Sequence, residues 1–68
     1  MWTEFDKTMI DFVEPNDIIK YRNKIITVDD VDDSDPKRVR ITGLDWMDYG
    51  IEVSIPCGTY VPLIYWAG

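Results

Sequence analysis

The sequence predicts an all-β protein, a single small five-stranded, partly open barrel occupying residues 1–68. Two observations carry that expectation. Apolar and polar residues alternate at a period of two through most of the chain, so every second side chain of a run lies on one face and coats one core. Each run is closed by residues with turn chemistry, leaving no room for a separate catalytic apparatus.

Taken in order, Met1–Lys7 is a frayed start or a short helical turn, because Trp2, Phe5, Met9 and Phe12 recur near helical spacing. A strand over Thr8–Val13 follows, with Ile10 and Phe12 alternating with Asp11. Glu14-Pro15-Asn16-Asp17 makes a corner: Pro15 removes a backbone donor, and Asn16 and Asp17 bond back to local backbone. Ile18–Tyr21 and the run from Ile25 flank Arg22-Asn23-Lys24 as a tight hairpin, Asn23 being the residue best suited to a left-handed conformation. Asp29–Pro36, with five aspartates in eight positions, reads as a solvated loop. Arg38–Thr42 is a strand ended by Gly43, and Leu44–Gly50 is a loop carrying Trp46 and Tyr49. Ile51, Val53 and Ile55 alternate with Glu52 and Ser54 as a half-buried strand, Pro56-Cys57-Gly58 breaks it, and Val61–Trp66 is apolar on both faces.

Composition narrows the function classes. A 68-residue chain with one cysteine and no histidine has neither an internal disulfide nor a structural zinc site, which leaves oligomerisation as the way to add apolar burial. A lone thiol fits a reducing, cytoplasmic setting, and no run reaches the roughly 20 apolar residues that span a bilayer. The net charge of −6 resides in residues 1–36, where ten acids face four bases; the remainder is balanced at three of each. A negative field repels nucleic acid, whose binding draws on Lys and Arg releasing counterions, and it opposes anionic membranes.

Three groups of residues invite a chemical reading. Asp30, Asp32 and Ser34 alternate as calcium ligands do, but a calcium-binding helix-loop-helix template started at Asp30 puts Asp35 where glycine belongs and Ile41 where a bidentate Glu belongs; the stretch reads as solvated, with weak divalent-ion binding the alternative. Cys57 has no charged residue within four positions to activate it, and so small a barrel offers no cleft for a carboxylate pair, so the chain is expected to be non-enzymatic and to need no cofactor. Aromatic residues are the stronger signal. Three Trp and four Tyr is a heavy load, and the loop Asp45-Trp46-Met47-Asp48-Tyr49 either packs over the barrel mouth or recognises a partner.

The succession of corner, hairpin, acidic turn, strand, aromatic loop, strand and terminal strand over residues 8–66 resembles the SH3-like small barrels, which include the Sm-like folds. The resemblance implies a groove lined by an aromatic loop, here Trp46 and Tyr49, suited to a basic or proline-containing peptide. It also implies assembly through sheet edges. Sm-like RNA binding would use an Asp- and Asn-containing loop and an adjacent Arg-Gly; this chain has Asp29–Asp35 and Arg40-Ile41-Thr42-Gly43 there, without the Asn and without the adjacency.

The expected function is thus a small acidic protein-interaction module that self-associates, of a size compatible with a phage or mobile-element origin. An Sm-like RNA-binding ring and an acidic DNA mimic that inhibits a nucleic-acid-binding enzyme are the alternatives. Self-association is expected through the C-terminal strand, where Ile64 and Trp66 would face water beside an open edge. The competing expectation is that Trp2 and Phe5 fold back over that face within one chain.

Overall fold

The computed structural model describes residues 1–67. It contains six strands, β1 Trp2–Met9, β2 Ile18–Tyr21, β3 Lys24–Asp32, β4 Arg38–Asp45, β5 Gly50–Pro56 and β6 Tyr60–Trp66, with a short 3-10 turn at Ile10–Phe12. All pair antiparallel in one open sheet of order β1-β6-β2-β3-β4-β5. The all-β expectation holds, with one strand more than the five expected.

The extra strand is the N-terminal one. Residues 2–9 form β1 rather than a helical turn, and the expected strand over Thr8–Val13 is interrupted by the 3-10 turn. Burial explains the interruption. Ile10 and Val13, three residues apart, both enter the core, while Phe12 between them is exposed; a tight turn places such a pair on one side and an extended strand does not. The Asp11 carboxylate accepts the Gly58 N–H at 2.7 Å and the Thr59 carbonyl accepts the Ile10 N–H at 2.8 Å, tying this turn to the β5–β6 connection.

The β2–β3 hairpin closes through Arg22 and Asn23 alone, since Tyr21 pairs with Lys24. Both loop residues have positive φ, 49° and 63°, as a type I′ turn requires. Beyond it β3 runs to Asp32, so Asp29, Asp30 and Asp32, expected in a loop, are strand residues; Asp29 sits at a bulge between the pairs Val28↔Gly43 and Asp30↔Thr42. Like charge alone does not keep them from pairing, because exposed strand positions leave their carboxylates in water.

Nor does Gly43 end β4, which continues to Asp45. A Cβ at Gly43 would overlap the Thr27 carbonyl oxygen, so glycine is required here by the close approach of two backbones beside the bulge.

Ile10, Val13, Ile19, Ile26, Val28, Val39, Ile41, Ile55 and Val61 form the main core, with Tyr21, Val31, Ile51, Val53 and Leu63 packed against it. Among the described residues no polar side chain is buried, and no helix is long and apolar enough to cross a membrane. Strand β6 is internal. It pairs with β1 along its whole length and with β2 at Ile19↔Leu63, so the open edge expected there is filled by the chain's own N-terminus. The strands left at the sheet edges are β1 and β5.

Candidate binding surfaces

The four residues singled out from sequence fall into separate places. Trp46 and Tyr49 occupy the β4–β5 turn, 67% and 65% exposed, where they project from the sheet. That turn is held from within. The Asp45 carboxylate accepts the N–H groups of Met47 and Tyr49 at 2.9 and 3.0 Å, and Asp48 takes a positive φ of 64°. Its rings are presented on an ordered loop, with Met47 exposed beside them.

Ile64 is not a surface residue. At 5% exposure it is buried, although outside the main core cluster, and the expectation that it faces water is corrected. The cause is β1, which brings Glu4 opposite Ile64 and bulges at Phe5 before resuming the register at Asp6↔Leu63. Trp66 remains 60% exposed at the far end of the same pair of strands.

That end is a two-stranded ribbon. β2 pairs with β6 only at Leu63, so Ile64–Trp66 and the start of β1 continue with each other as their only strand neighbours. Trp2 lies directly opposite Trp66, their rings edge to face with centroids 5.1 Å apart. Phe5 and Tyr65 form a second pair at 5.6 Å. Four large rings thus crowd a tip whose outer edge, on β1, has no strand partner among the described residues.

The aspartate stretch is organised by its own backbone. Asp32 accepts the Ser34 N–H at 2.9 Å and Asp35 the Lys37 N–H at 2.8 Å. Hydrogen bonds from Ser34, reinforced by Arg40, hold the Asp32 carboxyl below the usual carboxylate range. Among the described residues no three acidic or thiol side chains converge as metal ligands would. Desolvation first, and then the Asp11 carboxylate, push the Cys57 thiol pKa up, which keeps it protonated and a poor nucleophile.

One feature was not legible in the linear sequence. Arg22 and Lys24 of the β2–β3 hairpin meet Arg38 of β4 across a cleft of about 290 Å³, completed by Tyr21, Val53 and Ser54. Arg22 and Lys24 lie two residues apart on one hairpin, but Arg38 is distant in sequence and no motif joins it to them, so only the fold brings the three together.

The chain was compared with protein-family models, curated proteins and solved structures, and it matches none of them.

Proposed function

We propose that this chain is a non-enzymatic protein-interaction module that self-associates, and that its contact surface is the β1 edge with the aromatic ribbon behind it. The observation that carries the reading is the ribbon tip: Trp2, Phe5, Tyr65 and Trp66 are all exposed next to an unpaired strand edge. An exposed edge templates strand addition, and large rings are the side chains that anchor interfaces best. Two copies related by a twofold axis would pair β1 with β1 and bury the rings of both. The surface differs from the one expected on sequence, because β6 is internal and β1 now supplies the edge. On this reading the five strands β6-β2-β3-β4-β5, a meander whose last strand returns beside its first, are an SH3-like partly open barrel to which β1 is added. The exposed Trp46 and Tyr49 turn is the face left for a different partner.

Light scattering over low to high micromolar concentration tests the proposal. Wild type is expected at a multiple of the 8.0 kDa chain mass, and Phe5→Glu combined with Trp66→Glu at the monomer mass with its fold intact, since both residues are exposed. A monomeric wild type at high micromolar concentration overturns it.

A further inference from the structure

We infer that the cleft between the β2–β3 hairpin and β5 binds a phosphomonoester group carried on a planar or apolar moiety. Three of the chain's seven bases, Arg22, Lys24 and Arg38, line it, and no carboxylate does. In a chain with thirteen acids that segregation is the point. The one ion pair within 4 Å among the described residues is Arg40 with Glu52, at 3.7 Å, so the three cleft bases stand without an acidic partner. Converging like charges repel one another, and a bound dianion removes that repulsion.

The cations are held in place. Arg38 donates through Nε to Ser54 Oγ and through Nη2 to the Ser54 carbonyl, both at 2.8 Å, which fixes the guanidinium plane and leaves Nη1 without a hydrogen bond among the described residues. Arg22 lies over the Tyr21 ring at 5.5 Å. It does so from a left-handed backbone conformation, φ 49°, that Asn or Gly would adopt with less strain. The hairpin accepts a poorer turn residue and gains a cation beside the cleft.

The shape of the site selects among anions. Two guanidinium groups and an ammonium match a phosphate dianion better than a single carboxylate, and the planar fork of Arg suits phosphate oxygens. Tyr21 and Val53 give the cleft an apolar wall beside the cations, so the group that carries the phosphate meets a surface it can pack on. On the other side of Arg38 a smaller concavity carries the carboxylates of Asp32 and Asp35 beside Ser34 and an Arg40 already ion-paired with Glu52, so its acids disfavour a second phosphate. The site therefore takes one phosphate and not a chain of them. That phosphate could come from a phosphorylated aromatic side chain or from a free mononucleotide.

Amide chemical shifts of the full chain, followed while phenyl phosphate, adenosine monophosphate, inorganic phosphate or benzoate is added at low ionic strength, test the inference. Saturable shifts at Tyr21, Arg22, Lys24, Arg38, Val53 and Ser54 are expected with both organic phosphates, and the tighter of the two identifies the carrier. Inorganic phosphate, lacking the packed moiety, and benzoate, lacking the second charge, are each expected to bind about tenfold or more weakly, about the effect of one good contact. Arg38→Gln is expected to weaken phenyl phosphate about tenfold or more. Arg22→Asn is expected to do the same while the melting temperature stays level or rises, which separates lost binding from lost folding. Absence of saturable shifts up to about 10 mM, a concentration well above ordinary metabolite-range affinities, overturns the inference. So does benzoate binding as well as phenyl phosphate, or binding unchanged in both arginine variants.

Discussion

Gly43 shows how much of this fold turns on single positions. It lies in mid-strand, where glycine ordinarily weakens a sheet, and it is there because the Thr27 carbonyl occupies the space a Cβ would need. The obstacle is backbone, which a rotamer change does not relieve. Gly43→Ala is therefore expected to cost about 3 kcal/mol, at the upper end of overpacking substitutions. For a domain this small that lowers the melting temperature by roughly 12–24 °C, at about 4–8 °C per kcal/mol. A melting temperature within a few degrees of wild type would show that the Val28–Asp30 bulge can shift to admit the methyl group. Ile64 makes the complementary case. Because it is buried, Ile64→Lys would place an unpaired charge in an apolar site and unfold the chain, so it reports on stability and not on assembly.

Among the elements, the pairing of β1 with β6 carries the largest departure from what the sequence suggested. The strands with clean alternation, Arg38–Thr42 and Ile51–Ile55, were legible because one face of each meets the core and the other meets water. β1 was not, since none of its residues is fully buried and its stability comes from the partner strand rather than from its own pattern. β6 reads as apolar on both faces for the opposite reason: each face buries a residue, Val61 in the main core on one and Ile64 outside that core on the other. The Trp2–Trp66 pair fastens this ribbon at its open end. A double-mutant cycle of Trp2→Ala and Trp66→Ala, read by denaturant unfolding, is expected to give a coupling of about 0.5–1 kcal/mol, the range for cross-strand aromatic pairs. Coupling near zero would mean that the rings touch without stabilising the ribbon.

For the whole molecule, charge has different meanings at long and short range. The net charge of −6 acts on any polyanion that approaches, whereas the cleft cations act only on a group that enters. Labelled single-stranded RNA or DNA is thus expected to show no saturation in fluorescence anisotropy at micromolar protein and physiological salt. Tight saturation would favour the RNA-binding ring over the interaction module. The sequence placed Trp46 and Tyr49 on a loop and left open whether they pack over the barrel or stand free; both are exposed. Sequence reasoning had no access to the cleft, because Arg22, Lys24 and Arg38 acquire a common purpose only when the hairpin comes to lie near β5.

The union of β1 with β6 also sets the order in which the chain can fold. Strands β2 to β5 follow one another through short connections, so their contacts close small loops and form early. The pairing of Trp2 with Trp66 must instead close a loop that runs from residue 2 to residue 66, and no part of it exists until β6 has left the ribosome. Until β1 docks, β6 has no strand along the edge that β1 will occupy, and an unsatisfied edge of that kind accepts the same segment from any neighbouring molecule. Intramolecular closure and exchange of β1 between chains are accordingly rival endings of one folding reaction, decided by the local concentration of nascent chains.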